Sequence, residues 1–318
     1  MGPVRPGVEH LEMTVAEPKY AIGVDLGGTH LRWAVVDREG ALLYRDQVTR
    51  PRTAGEIVAA IYQAVEQCLE RYPDVDAAGI AVPGVVKADG ITSHNLGWND
   101  VPLQKELAAL PRPARVMNDM AAGAVGELHY GRARGLTNVI FLTVSTGIGA
   151  GIILNGQPYG GAQGLAGEVG HTVVDLNGLL CGCGRRGCWE MIASGTAHVR
   201  RIREAYTSGT WPNLPEAPTP EEVTQAARSG DRAARALLLR TARYLGIGIS
   251  NLANLYDPQA VIFTGGLARN NWDIISGYLL QEVREQAFSQ EVQLLLTELG
   301  DDAGLVGAAA LVLHQHPG

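Results

Sequence analysis

Between Gly167 and Glu190 the chain sets one imidazole and three thiols, those of His171, Cys181, Cys183 and Cys188, on a run rich in glycine. One nitrogen and three sulfurs make the donor set of a closed tetrahedral zinc site, a kind that shapes a loop rather than performing chemistry. Glycines stand where so short a loop must turn tightly. Two other readings compete: the cysteines could be small buried apolar residues, or two of them could form a disulfide. Cys181 and Cys183 are badly spaced to bridge one another, and a lone cross-link would leave one thiol over, so a structural Zn²⁺ is the expectation. It would make Glu168, His171 and Glu190 fixed points. A carboxylate can accept from two neighbouring hydroxyls of a sugar, and an imidazole bound to metal through one nitrogen keeps the other for a further contact. The competing role for Glu168 and Glu190 is to orient the zinc ligands. Sugar contact is preferred, because Arg185 and Arg186 are the only cations flanking them on the loop.

Asn118-Asp119 stands where a strand gives way to a helix. An Asn or Asp there is ordinarily a helix cap. A carboxylate at the same place can also serve as a general base, taking the proton of an alcohol as its oxygen attacks phosphorus. The helix N-terminus favours its ionised form. Asp25-Leu26-Gly27-Gly28-Thr29 puts bare backbone amides and a hydroxyl at the mouth of a hairpin, where a phosphate can approach and Asp25 can hold a hydrated Mg²⁺. Ser145-Thr146-Gly147-Ile148-Gly149 repeats the arrangement, and Gly265-Gly266 offers a third flat surface at a strand end, suited to adenine or ribose. Glycine turns are common in plain hairpins, and neither hairpin turn carries the Gly-Lys-Ser or Gly-Lys-Thr ending of a Walker loop.

The elements that must position these residues follow from periodicity. Tyr20 to Asp25, Leu31 to Val36 and Ala41 to Val48 read as strands joined by turns; Val139 to Val144, Ala150 to Leu154 and Gln157 to Tyr159 repeat that grammar. Its recurrence proposes an internal duplication, with two halves facing each other across a cleft. Between the hairpins, Thr53 to Arg71 is an amphipathic helix that buries Cys68. Ala77 to Val82 and Ala114 to Met117 are strands, and Leu103 to Leu110 and Asp119 to Tyr130 helices. Strand and helix in alternation imply parallel pairing in an α/β fold. After the zinc loop come a proline-rich loop from Thr207 to Pro220, helices at Glu221 to Ser229 and Asp231 to Leu255, the second opening with Asp231 as its N-cap, and a strand at Val261 to Thr264. A helix at Trp272 to Ala287, a strand at Val292 to Leu296 and a helix at Ala303 to His314 complete the chain. The expected domains are 20–135, joined by the helix 303–315, and 136–302, preceded by a tail over 1–19.

The chain has 318 residues, of which 46% are hydrophobic, and a net charge of −7. That charge gives no electrostatic footprint for nucleic acid. The first residues lack a signal-like apolar core and no apolar run is long enough for a membrane span, which points to the cytoplasm, where thiols stay reduced and favour a metal.

Taken together, Asp25 to Thr29, Asn118-Asp119, Ser145 to Gly151, Glu168-Val169-Gly170-His171 and Cys-Gly-Cys-Gly-Arg-Arg-Gly-Cys-Trp-Glu resemble the ROK family of sugar kinases and sugar-responsive repressors. The resemblance runs from about Tyr20 to the C-terminus and is most specific in the zinc run. It implies the duplicated actin-like ATPase (ribonuclease H-like) fold, two domains around a cleft that holds ATP and Mg²⁺, with the hexose on the zinc side. By resemblance Asp119 is the catalytic base, and Asn118, Glu168, His171 and Glu190 bind sugar hydroxyls, with Gly84 and Asn95 in matching segments. The implied activity is phosphorylation of a hexose at its 6-hydroxyl, of the glucokinase type. Fructose, mannose or an N-acetylhexosamine are alternative acceptors, and a non-catalytic sugar sensor or a zinc-loop interaction module are alternative roles. The family also implies a homodimer or homotetramer. Three departures stand out: Ser145 and Ala150, where glycine is frequent in the second phosphate turn; His30 after the first; and the short stretch before the first strand, which speaks against the DNA-binding domain of the family's repressors.

Overall fold

In a computed structural model, residues 18–211, 216–288 and 291–314 are described. The expected tail lies outside them except for its last two residues, as do Pro212 and Pro215 of the proline-rich loop and the final position of the helix 303–315.

The first half comprises β1 (Tyr20–Leu26), β2 (His30–Asp37), β3 (Leu42–Thr49), α1 (Ala54–Arg71), β4 (Ala77–Val82), β5 (Val85–Val86), β6 (Ile91–Ser93), β7 (Trp98–Val101), α2 (Leu103–Glu106), β8 (Ala114–Asn118) and α3 (Asp119–Tyr130). The second comprises β9 (Val139–Val144), β10 (Ile148–Leu154), β11 (Gln157–Pro158), α4 (Glu190–Ala193), α5 (Gly195–Thr207), α6 (Pro220–Arg228), α7 (Arg232–Tyr256), β12 (Ala260–Thr264), α8 (Gly266–Gln286), β13 (Gln293–Leu296) and α9 (Ala303–Leu313).

Two five-stranded sheets have the orders β3-β2-β1-β4-β8 and β11-β10-β9-β12-β13. In each, the first hairpin is antiparallel and the next two strands join in parallel. Position for position the sheets are copies. This agrees with the duplication read from the two hairpins. The central strands β1, β4, β9 and β12 are almost wholly buried, as apolar parallel strands covered on both faces must be.

Local chemistry explains the helices. A reciprocal capping box between Thr53 and Glu56 starts α1, whose buried face carries Ile57, Ile61, Val65 and Cys68. Asp231 caps α7 by accepting from the Ala234 amide at 2.9 Å, as the sequence proposes.

The halves interlock through α3 and α9. Leaving the first sheet, α3 packs on β9 and β10 of the second; leaving the second, α9 packs on β1 and β4 of the first. Where the two cross, a Cβ on Gly307 would lie 1.7 Å from the Ala122 carbonyl oxygen, so backbone meets backbone and no side chain fits between.

Several expectations need correction. The helix expected from Trp272 begins at Gly266, so Gly265-Gly266 is a strand-to-helix junction rather than a flat turn; apolar periodicity is weak in that first turn because it borders a cavity. Ala150 lies inside β10, its amide donating to Gly167 at 2.9 Å, and not in the second phosphate turn. The helix expected at Leu103 to Leu110 is a single α-helical turn followed by a 3-10 turn. Periodicity also missed the small sheet β5-β6-β7, whose strands are two to four residues long, too short to alternate. Among the described residues, no helix is long and apolar enough to cross a membrane.

Candidate active site

In both hairpin turns, backbone carbonyls are held by donors from outside the turn. In the first, the Gly27 amide donates to His30 O at 2.9 Å, and Arg50, just past β3, donates from its backbone and Nε to the carbonyls of Thr29 (2.8 Å) and Gly28 (2.9 Å). In the second, the Ser145 amide donates to Gly147 O at 3.0 Å. Gly195 N–H and the Thr196 hydroxyl hold the carbonyls of Ser145 (2.6 Å) and Thr146 (2.7 Å). Arg50, Gly195 and Thr196 were not found from the sequence. For Gly195 and Thr196 a signal existed: Ser194-Gly-Thr before a helical run is an N-cap pattern, and Ser194 does cap α5.

Asp25 is buried at the end of β1, and Arg32, opposite it on β2, donates to its Oδ2. Burial raises its carboxyl above the ordinary range despite that guanidinium. A buried carboxylate beside a phosphate-sized turn is the hard oxygen donor a Mg²⁺ ion takes, so the residues present fit that ion.

Asn118 and Asp119 divide the two roles between them. Asn118 is the cap: its Oδ1 accepts from the amides of Met120 (2.9 Å) and Ala121 (3.1 Å), while its Nδ2 donates to Gly84 O at 2.9 Å. One N–H remains for a ligand. Gly84 can present that carbonyl because its φ is +111°, and a Cβ there would strike Thr92 O at 2.4 Å. Asp119, the first residue of α3, is half-buried and takes only the Met120 amide, at 2.9 Å. Burial chiefly, then the Asp25 carboxylate, with a smaller push from Glu168, move its carboxyl up to about 7. The helix N-terminus, expected to keep it ionised, is outweighed by the cleft. Asn95 sits exposed on a 3-10 turn at 94–96 and makes no side-chain hydrogen bond.

The side chains of His171, Cys181, Cys183 and Cys188 converge, with one ligand atom from each within 4.8 Å of every other. Cys181 Sγ is 3.6 Å from His171 Nδ1, and Cys183 Sγ is 3.5 Å from Cys188 Sγ. A tetrahedral zinc ion with ordinary Zn–S and Zn–N lengths has ligand-to-ligand edges of about 3.7 Å, so the four atoms fit it. A disulfide does not fit, because the sulfurs are far beyond a bond of about 2.05 Å. His171 Nε2 points the other way and meets Glu168 Oε2 at 3.8 Å. Glu190 Oε1 lies 3.2 Å from Cys181 Sγ and 3.4 Å from His171 Nδ1, while a Cβ on Gly147 would come within 3.1 Å of its Oε2. The indole of Trp189, wholly buried, donates to Tyr244 O at 2.8 Å and fixes this corner on α7.

Beside the second turn opens a cavity of about 740 Å³, lined in part by Ser145, Thr146, Thr196, His198, Gly266 and Asn271. That volume suits a nucleoside. The site therefore has three parts: a nucleotide-sized cavity, two amide-rich turns with acids between them, and a loop corner bearing Glu168, His171 and Glu190.

A profile of the ROK family matches residues 21–315. A glucokinase of Streptomyces coelicolor is 35% identical over 93% of this chain and 98% of its own length. An N-acetylmannosamine kinase of Haemophilus influenzae is 35% identical over 91% of this chain and 93% of its own. The structure of a ROK family glucokinase from Streptomyces griseus, in complex with glucose and AMPPNP, superposes with a TM-score of 0.77 at 36% identity, covering 93% of this chain and all of that one. The twin sheets and exchanged helices are thus the duplicated actin-like ATPase fold. Since the profile spans nearly the whole chain and the twin-sheet fold with its His-Cys loop agrees with it, this protein belongs to the ROK family.

Proposed function

We propose that this chain is an ATP-dependent sugar kinase that transfers the γ-phosphoryl group of ATP to the 6-hydroxyl of a hexose, with glucose the preferred acceptor. The observation that carries the reading is the position of Asp119. It is a carboxyl at a helix start, lifted to about 7 by burial and by Asp25, influenced by Asp25 of one half and Glu168 of the other. Its unused carboxylate oxygen accepts the proton of the 6-hydroxyl as that oxygen attacks the γ-phosphorus, and a pKa near neutral suits a base that must release the proton again.

Glu168, Glu190 and His171 Nε2 grip sugar hydroxyls, joined by the free N–H of Asn118 and by Asn95, with the Gly84 backbone alongside. Amides of Gly28 and Thr29 on one side, and of Thr146 and Gly147 on the other, receive the phosphates, with Gly27 and Gly149 closing the two turns behind them, while the Gly265-Gly266 junction borders the base and ribose. A Mg²⁺ ion held by Asp25 would neutralise phosphate charge, and Zn²⁺ held by His171, Cys181, Cys183 and Cys188 would fix the loop. Closure of two bodies, 20–135 with 303–315 and 136–302, would exclude water, the competing nucleophile. The working form is an assembly of two or four copies in the cytoplasm.

ADP release measured over a panel of hexoses tests the reading. Glucose should give the highest kcat/KM, and a chelator that strips zinc should raise the glucose KM by about tenfold or more, because the loop loses its fixed geometry. A second reading rests on the 35% identity to an N-acetylmannosamine kinase; that sugar outrunning glucose would select it. No ADP release with any hexose would overturn both.

A further inference from the structure

The clamp on the second phosphate turn belongs to the segment that carries a sugar-gripping residue. Glu190 opens α4; Ser194, directly after it, caps α5; and Gly195 and Thr196 donate to the carbonyls of Ser145 and Thr146 at 2.6 and 2.7 Å. Glu190 itself lies near the second turn, since a Cβ on Gly147 would come within 3.1 Å of its Oε2. Seven residues, Glu190 to Thr196, therefore touch the zinc corner at one end and the nucleotide turn at the other. Among the described residues the first turn has no such connection and is held instead by Arg50, just past β3.

We propose that Glu190–Thr196 transmits sugar occupancy to the nucleotide, with Thr196 as the positioning residue. This rests on the reading above, in which Glu190 meets the sugar and the second turn meets phosphate. When a hexose fixes the Glu190 carboxylate, α4 and the start of α5 are held, and the Thr196 hydroxyl keeps the Thr146 carbonyl turned out of the cleft. The amides of Thr146 and Gly147 are then presented to phosphate. The hydroxyl's only proton is spent on Thr146 O, so replacing it leaves that carbonyl unheld without burying a new polar group. Thr196 is exposed at the start of a thirteen-residue helix, so substitutions there leave the core intact.

Calorimetric titration of MgADP, with and without saturating glucose, tests the proposal on the full chain. In the unmodified protein glucose should tighten MgADP by about tenfold, within the usual range of coupling between two sites. Thr196→Val should weaken MgADP by about fivefold, the worth of one hydrogen bond, and reduce the glucose effect to below about twofold. Thr196→Ser should restore both. Arg50→Gln should weaken MgADP while leaving the glucose effect whole, because its clamp does not touch the sugar corner. A Thr196→Val protein with the full glucose effect would overturn the proposal. So would an unmodified protein that binds glucose and MgADP independently, although the kinase reading would survive. Binding of neither ligand would sink the kinase reading itself.

Discussion

Helices α3 and α9 are one element drawn twice. Each follows the last parallel strand of one sheet and packs on the opposite sheet. Their first residues differ, and that difference gives the cleft its direction. At the start of α3, Asn118 caps the free amides and Asp119 offers a carboxyl. At the start of α9 no side chain caps the helix; Asp302 turns instead to Arg45, at 3.5 Å, and toward Arg32, at 3.9 Å. Gly304 leaves bare backbone beside Asp25, where a Cβ would come within 3.4 Å of the carboxylate. Duplication supplied two equivalent helix starts. One now carries a carboxyl, which the proposed mechanism uses as the base for an alcohol, and the other is left open beside the Asp25 carboxylate.

The hairpins diverge in the same way. Asp25 pairs across to Arg32 on the first, and the corresponding cross-strand pair on the second is Thr143 and Gly149. The charged cross-strand pair lies in one half, and the His-Cys loop in the other.

The comparison breaks most readily at the two acids. Asp119→Asn should lower kcat by about a thousandfold, the range expected for loss of a general base, and leave glucose binding largely intact. Asp302→Asn should change kcat by less than about twofold, since it replaces a partly exposed surface ion pair. Equal losses in an ADP-release assay would mean that the two helix starts are functionally alike.

The pH profile is the next largest effect. With its carboxyl at about 7, Asp119 is a competent base only above that pH, so kcat/KM should fall about tenfold per unit below it. A flat profile down to pH 5 would remove Asp119 from the mechanism. Linkage gives a second test with a definite sign. A carboxyl near 4 in the unfolded chain and near 7 in the folded one costs stability as pH rises between those values. Asp119→Asn should therefore melt higher than the unmodified protein at pH 8 and no higher at pH 4.

Smaller effects test the shared scaffold. Gly307→Ala forces a methyl against the Ala122 carbonyl and should cost about 1–3 kcal/mol by overpacking, visible as a lower urea midpoint. Asn118→Ala removes the cap of α3 and should cost about 1 kcal/mol, whereas Asp302→Ala, at an uncapped start, should cost less than about 0.5 kcal/mol. Equal losses for the last two would mean that α9 has a cap the structure does not show.

Much of this protein was legible before any coordinates. The apolar strands, the two glycine hairpins, the capping residue Asp231 and the His-Cys run are local patterns, and each depends on chemistry within a few residues of itself. For the same reason Asn118-Asp119 could be assigned to a helix start from sequence. Where a signal was short or diluted it failed, as in the tiny strands of β5-β6-β7 and the first turn of α8.

Tertiary structure alone decided the rest. No local pattern says that Gly195 and Thr196 hold a turn some fifty residues earlier, that α3 and α9 exchange sheets, or that Asp25 and Asp119 lie close enough to push a carboxyl toward neutrality. The physical reason is one of range. Caps, turns and periodicity are set by backbone geometry over a few residues, whereas desolvation and charge coupling depend on what folding brings near from anywhere in the chain.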